Sequence, residues 1–138
     1  MANQILLITS ILMAASHFLA VYWYGGPIVL RLLYVLGPCT SVLNHWATNP
    51  WTLWTDRSVM AIGCVIDVWF ILQLQQRALL WVGIVCSVGF YAGAKYFVEY
   101  SHYHGDSYLL VSCVFHVAAH VFVSALHFSI LYFYRKTD

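Results

Sequence analysis

The stretch QILLITSILMAASHFLAVYWYGGPIVLRLLYVLGPCTSVLNHW, residues 4–46, contains two long apolar runs separated by Gly25, Gly26 and Pro27. A helix needs roughly 20 mostly apolar residues to cross the hydrocarbon core of a bilayer, and each run has about that length. The glycines interrupt the helical pattern, and Pro27 suits the first turn of a new helix, where its missing amide hydrogen is not needed. The stretch therefore predicts two transmembrane helices joined by a short turn.

The rest of the chain continues this pattern. Of its 138 residues, 62% are hydrophobic and 8% are charged, and the mean hydropathy is +0.78. A soluble domain carries about 25% charged residues. We therefore predict an all-α, polytopic membrane protein: a single transmembrane helical domain over residues 1–138, with about five transmembrane helices in a compact bundle. The predicted spans are Gln4–Tyr24, Pro27–Trp46, Ser58–Leu74, Ala78–Tyr100 and Ser107–Tyr134.

The net charge limits the kinds of partner that the protein can bind, and the positions of the basic residues predict its orientation in the membrane. A net charge of +1 without a basic face argues against nucleic-acid binding. With five spans, the side of the membrane that holds the C-terminus also holds Arg31, Arg77, Arg135 and Lys136. Because cytoplasmic loops carry an excess of Lys and Arg, this distribution predicts a cytoplasmic C-terminus and an N-terminus outside the cell or in a lumen.

The fifth predicted span carries His116 and His120, four residues apart and therefore on one helical face. Ionisable groups inside a bilayer are costly and normally face the bundle interior, a cavity or a partner. The spacing allows two imidazoles to share one metal ion. Hydrogen bonds from the two rings to neighbouring helices are the alternative explanation.

A second polar group surrounds the turn between spans two and three, on the membrane side from which span five begins. Ser41 and His45 are four residues apart, and Asp56 lies at the start of the third span. Three neutral histidines leave a fourth position on zinc for a water molecule. A carboxylate beside that water could accept its proton, and a hydroxyl could hydrogen-bond the oxyanion of a carbonyl substrate. Asp56 as a helix cap, and Ser41 bonded to its own backbone, are the structural alternatives.

The order Ser41-Val-Leu-Asn-His45, then Asp56, then His116-Val-Ala-Ala-His120 resembles a superfamily of membrane proteins. It comprises alkaline ceramidases, adiponectin and progestin receptors, haemolysin III-like proteins and GPI-remodelling lipid hydrolases. The resemblance implies a zinc ion bound by the three histidines, with Ser41 and Asp56 around the metal-bound water. It also implies a lipid amide or ester hydrolase, or a receptor-like relative, with membrane lipids as partners. Members typically have seven spans, whereas this chain has five predicted ones.

Two other functions are compatible with the same sequence. Histidines from different helices can supply both axial ligands of haem b, and the candidates are His17, His45, His116 and His127. A haem-binding function does not explain the spacing of Ser41 and Asp56. The third hypothesis is a small accessory subunit of a larger membrane complex, whose polar residues only hold helices together.

Several polar residues lie outside the predicted zinc site. His127 continues the stripe of His116 and His120, and we expect it to be a hydrogen-bonded interior histidine. Asp67 is predicted to support a hydrogen-bond network or to pair with His127 or His17. We expect the four cysteines to be small buried hydrophobes rather than disulfides or metal ligands. We expect the segment SHYHGD, residues 101–106, to be a solvated loop, with a surface metal site as the alternative.

Overall fold

The structure, a computed structural model, describes residues 2–75 and 77–137, and helices account for nearly all of this part of the chain. The predicted fold class, an all-α polytopic bundle of about five helices, is confirmed. Within the described residues the helices are α1 (Ala2–Tyr24), α2 (Ile28–Trp46), α3 (Pro50–Ile71), α4 (Arg77–His104) and α5 (Ser107–Thr137).

Helix length and hydropathy give the chain the form of a multi-pass integral membrane protein. Helices α1, α2, α4 and α5 are each long and apolar enough to cross a membrane. Helix α3 has 22 residues, but Asp56, Arg57 and Asp67 place three charged residues within 12 positions of it. These charged side chains are costly in a bilayer unless the bundle surrounds and pairs them.

The helices form a ring in which each packs against the next in sequence, and α1 against α5 closes it. Consecutive helices are antiparallel: Ser10 of α1 lies beside Ser41 of α2, and His17 lies beside Tyr34. Helices α1, α3 and α5 therefore point the same way. The contact between α3 and α4 is much less extensive than the contact between α4 and α5.

The turn between α1 and α2 follows the prediction. Gly25 and Gly26 have φ angles of 67° and 98°, in the left-handed region that favours glycine. A Cβ atom on Gly26 would lie 2.9 Å from Cδ2 of Leu131, so the turn also packs closely on α5. Beside it, Nη1 of Arg135 donates to the Trp23 carbonyl oxygen over 2.7 Å, which satisfies the end of α1.

The apolar core occupies the half of the bundle next to this turn. Its least exposed side chains come from all five helices. Large aliphatic and aromatic residues fill that half, so the intramembrane histidines of α2 and α5 lie towards the other half or along its boundary. The core residues with essentially no exposed surface are Leu30, Tyr34, Ile71, Leu80, Ile130 and Leu131.

Helix α3 begins at Pro50, eight residues before the predicted start at Ser58. Its cap is Asn49, whose side-chain oxygen accepts from the amides of Trp51 and Thr52, while the Thr52 hydroxyl oxygen accepts from the Asn49 amide. Asp56 thus lies in the second turn of α3. Its assignment to the start of the helix, and the alternative that it caps the helix, are both wrong because Asn49 already satisfies the free amides.

Removing this cap gives a test of the helix boundary. We expect Asn49→Ala to lower the free energy of unfolding by about 1 kcal/mol, since two amides lose their acceptor. Asn49→Asp should retain most of the stability, because a carboxylate accepts the same bonds. Chemical unfolding in detergent micelles measures both, and an alanine variant as stable as the wild type would place the start of α3 elsewhere.

The predicted loop at residues 101–106 is shorter than expected. Helix α4 continues through His104, and the chain reverses at Gly105, which has a φ angle of 104°. The His104 ring stacks on Tyr100 with centroids 3.7 Å apart. The hairpin of α4 and α5 consequently extends past the short turn between α2 and α3. This extension brings residues well inside α5 level with the end of α2.

Candidate metal centre

The three histidines predicted to bind a metal lie together inside the bundle. Their nearest ring nitrogens, one from each of His45, His116 and His120, are all within 4.8 Å of one another. The ring centroid of His45 is 5.1 Å from that of His116 and 5.9 Å from that of His120, and the two α5 rings are 4.9 Å apart. The three imidazoles thus surround one point between α2 and α5.

Helix register explains this convergence. His45 is the penultimate residue of α2, whereas His116 lies nine residues after the start of α5, about 14 Å along the axis at the helical rise. The protruding hairpin of α4 and α5 offsets this difference in depth. The i, i+4 spacing then points both α5 imidazoles towards α2.

Thr9 of α1 fixes the orientation of His120. Its hydroxyl donates to the Leu6 carbonyl oxygen over 3.1 Å and lies 3.1 Å from Nδ1 of His120. With its hydrogen donated to Leu6, the Thr9 hydroxyl can accept a hydrogen bond from Nδ1–H of His120. In that arrangement the neutral ring presents the lone pair of Nε2, which could bind a metal, and Thr9 supplies the outer hydrogen bond typical of ligating histidines.

The Nε2 atom of His45 is buried and has no hydrogen-bond partner among the described residues. An unpaired buried polar atom costs free energy unless a ligand or water satisfies it. In a tetrahedral zinc site with bonds of about 2.0–2.1 Å, ligand nitrogens are about 3.4 Å apart. The observed separations of up to 4.8 Å are wider, and small rotations of the imidazoles would close the difference. The donor set and the unpaired nitrogen therefore fit zinc.

Ser41 lies one helical turn before His45 on the same face of α2 and is buried. Its hydroxyl is 3.3 Å from the hydroxyl of Ser10 on α1. Ser10 donates its hydrogen to the Leu6 carbonyl oxygen over 2.8 Å. In this contact Ser10 therefore accepts, and Ser41 donates to it. Ser41 joins α1 to α2 next to the histidines.

Asp56 is buried against a neighbouring strip of α2. Its carboxylate accepts from Nδ2 of Asn44 over 3.1 Å and from the Thr40 hydroxyl over 3.3 Å. Residues 40 and 44 lie on one face of α2, next to the face formed by residues 41 and 45. The carboxylate thus lies beside the strip of α2 that carries Ser41 and His45. The Oδ1 atom of Asn44, one residue before His45, is also buried and unpaired among the described residues.

Helix α4 lines the His116 side of the cluster. The Tyr91 ring lies edge-on to His116 with centroids 5.8 Å apart, and the Lys95 ammonium lies 5.1 Å from the centroid of the same tyrosine. The positive charge of Lys95 acts on His45 and His116 and opposes a further positive charge in the cluster. The same charge attracts an anionic group that approaches from the α4 side.

A groove of about 250 Å³ opens between α1 and α5 beside the cluster. His120 contributes to its wall together with Thr9, so the groove reaches the metal candidate from the surface of the bundle. Apolar side chains of both helices line most of the groove, and three hydroxyls lie among them. The residues that line it are Thr9, Leu12, Met13, Ser16, Val117, His120, Val121 and Ser124.

The remaining intramembrane ionisable residues form a separate network. His127 is a hydrogen-bonded interior histidine, as its position predicted, and Asp67 pairs with it over 2.8 Å. His17 contacts His127 through a 2.7 Å hydrogen bond, and Tyr34 donates to Asp67 over 2.9 Å. His102 and His104 are exposed at the end of α4.

Sequence reasoning missed Thr9, Thr40, Asn44, Tyr91 and Lys95 as neighbours of the site. The i, i+4 pair of Thr40 and Asn44 runs parallel to the pair of Ser41 and His45, and this doubled polar strip is a usable signal. The first span has a similar signal, since Thr9 and Ser16 are seven residues apart on one face. Tyr91 and Lys95 gave no comparable signal, because interfacial tyrosines and lysines are common in membrane helices.

The Thr9 contact gives a specific prediction. We expect Thr9→Val to weaken zinc affinity by about 10-fold or more, within the range measured for loss of an outer hydrogen bond to a ligating histidine. Thr9→Ser should retain the affinity, because it keeps the hydroxyl. Competition with a chromophoric chelator measures the constants, and equal affinities for the valine and serine variants would exclude this role of Thr9.

Comparison of the chain with models of known families, with curated proteins and with solved structures finds no match.

Proposed function

We propose that this protein is a zinc-dependent intramembrane hydrolase that cleaves an amide or ester bond of a membrane lipid. The observation that supports it most is the convergence of His45, His116 and His120, with a buried Nε2 atom of His45 that has no hydrogen-bond partner in the described part of the chain. This donor set would hold zinc with one open position. Bound there, zinc supplies Lewis-acid chemistry that makes water a nucleophile near neutral pH.

The proposal assigns roles to two neighbouring side chains. Asp56 is the proton acceptor, and its hydrogen bonds from Thr40 and Asn44 hold the carboxylate in one orientation. Ser41 is the hydroxyl donor to the carbonyl oxygen of the substrate, for which it would exchange its present contact with Ser10. Both roles follow the resemblance of the motif order to the ceramidase and receptor superfamily.

The groove between α1 and α5 supports a lipid as the substrate. Leu12 and Val121 are mostly exposed on its rim, where they face the apolar phase of the membrane. His120 is 8% exposed and lies in the wall. An acyl chain lying in this groove would keep its apolar surface in contact with apolar side chains and bring the adjoining carbonyl group to the polar end.

The test measures metal and turnover on one preparation. We expect purified protein to contain zinc and to release fatty acid from a ceramide or an ester lipid, detected by mass spectrometry. Treatment with a chelator should remove the activity, and added zinc should restore it. A zinc-loaded protein that releases no fatty acid from a panel of amide and ester lipids contradicts the hydrolase and leaves a receptor-like relative, tested by lipid binding.

Two alternative functions give different results in the same preparation. A Soret absorption band would identify a haem b protein, for which the histidines would be axial ligands. A metal-free chain that is stable only with partner subunits, and keeps its function when His116 and His120 are both replaced by glutamine, would be an accessory subunit.

The proposed orientation has a cytoplasmic C-terminus and an N-terminus outside the cell or in a lumen. Three arginines lie at the end of the bundle that carries the C-terminus, and each donates to a carbonyl oxygen near a helix end. They are Arg31, Arg77 and Arg135. Their positive charge fits the cytoplasmic surface. Labelling of single cysteines at residues 2 and 137 with an impermeant reagent distinguishes the two orientations.

A further inference from the structure

Four helices contribute to one hydrogen-bonded chain inside the bundle. Nε2 of His17 is 2.7 Å from Nδ1 of His127, and Nε2 of His127 is 2.8 Å from Oδ2 of Asp67. The Tyr34 hydroxyl donates to Oδ1 of the same carboxyl group over 2.9 Å. The exposed fractions of His17, Tyr34 and Asp67 are 2%, 0% and 3%. These three groups are therefore shielded from both water and lipid, and the His127 side chain is 12% exposed.

Hydrogen-bond geometry fixes the number of protons in this chain. The carbonyl oxygen of Met13 is 2.7 Å from Nδ1 of His17 and can only accept, so Nδ1 carries a proton. A second proton joins His17 to His127, and a third joins His127 to Asp67, because each short contact needs one donor. Three protons are the number carried by two neutral imidazoles and one carboxylic acid. The net charge of the chain is therefore zero.

The three protons have more than one arrangement. The proton on Oδ2 of Asp67 can pass to Nε2 of His127, which leaves a carboxylate and an imidazolium. The Nδ1 proton of His127 can then pass to Nε2 of His17, which moves the positive charge to α1. Each step breaks one bond to hydrogen and forms another along an existing hydrogen bond. The net charge stays at zero, so no step places a net charge in the bilayer.

Neighbouring groups act on these arrangements in opposite directions. The Tyr34 hydroxyl stabilises the carboxylate, and its ring stacks on His127 with centroids 3.9 Å apart, which favours an imidazolium. Burial favours the neutral arrangement. Cys64 of α3 and His120 of α5 are further titratable groups with an electrostatic influence here. Helix α4 has no charged residue or histidine from position 78 to position 94.

We propose that His17, His127 and Asp67 form an intramembrane proton-binding site in which one proton is shared between the carboxyl group and the two imidazoles. Ser16 connects this site to the groove between α1 and α5. Its hydroxyl donates to Met13 and lies 3.4 Å from Nδ1 of His17, and its side chain lines the groove. This proton-binding site does not depend on zinc or on the proposed hydrolase.

Infrared and nitrogen NMR spectroscopy on the full chain in lipid nanodiscs test this proposal. As the temperature is varied, we expect the infrared band of a protonated carboxyl group to weaken while the nitrogen NMR signals of imidazolium strengthen. The two changes should correspond to equal fractions of a proton. Asp67→Asn should remove both signals together, because its amide keeps the hydrogen bonds but has no transferable proton. Asp106→Asn, which changes an exposed residue in the turn before α5, should alter neither.

Tyr34→Phe provides a second variant if Asp67→Asn does not fold. Loss of the hydroxyl donor should move the proton towards Asp67 and increase the carboxylic acid band. A wild-type protein whose Asp67 and histidine signals are fixed at all temperatures overturns the proposal, as does a Tyr34→Phe protein with the wild-type distribution. Removal of zinc by a chelator should leave all these signals unchanged, which separates this proposal from the proposed hydrolase.

Discussion

His45→Ala is expected to reduce zinc in the purified protein from stoichiometric to trace amounts. This residue supplies the only ligand from α2 in the candidate metal centre, and its Nε2 atom has no competing partner among the described residues. Loss of an outer hydrogen bond to a ligand already costs 10- to 100-fold in affinity, so loss of the ligand itself should cost about 100-fold or more. Elemental analysis of protein purified in parallel with the wild type measures the change.

His104→Ala is the matched control for this loss. His104 is exposed at the end of α4 and stacks on Tyr100, so its removal deletes an imidazole without touching the cluster. Its zinc content should equal that of the wild type. If the His45→Ala protein keeps its zinc while remaining folded, the metal is bound elsewhere. The assignment of His45, His116 and His120 would then be wrong.

Asp67→Ala is expected to cause the largest loss of stability. It leaves Nε2 of His127 and the Tyr34 hydroxyl without partners in the bundle interior. Removing one member of a buried pair typically costs about 3–5 kcal/mol, because the remaining polar group stays desolvated. Asp67→Asn should lose much less, since an amide can donate to His127 and accept from Tyr34. Thermal unfolding in detergent, followed by circular dichroism, compares the two variants.

Asp106→Ala controls for the general effect of deleting a carboxylate. Asp106 is exposed in the turn before α5, at the N-cap position of that helix, and we expect its removal to lower the unfolding free energy by no more than about 1 kcal/mol. An Asp67→Ala protein as stable as this control would contradict the pairing of Asp67 with His127. Equal losses for the alanine and asparagine variants would mean that packing, rather than hydrogen bonding, gives Asp67 its importance.

The sequence predicted which residues form the candidate site better than it predicted how they are arranged. The spacing of His116 and His120 placed both rings on one face of α5, because a helix returns to the same face after about four residues. The same reasoning placed Ser41 and His45 together on α2. Asp56 was predicted at the start of the third helix, but it lies in the second turn of α3, where Thr40 and Asn44 hold it. Asn49 is the cap.

The sequence by itself determined that the chain is a bundle of membrane helices, and largely where they turn. Helix formation in a bilayer depends on a local property, the length of an apolar run, and Gly25, Gly26 and Pro27 interrupt it locally. Only the tertiary structure decided which polar groups meet. Thr9 contacts His120 and His17 contacts His127, pairs separated by 111 and 110 positions. Their meeting depends on the relative depth and rotation of packed helices, which packing across the whole bundle sets and no single segment encodes.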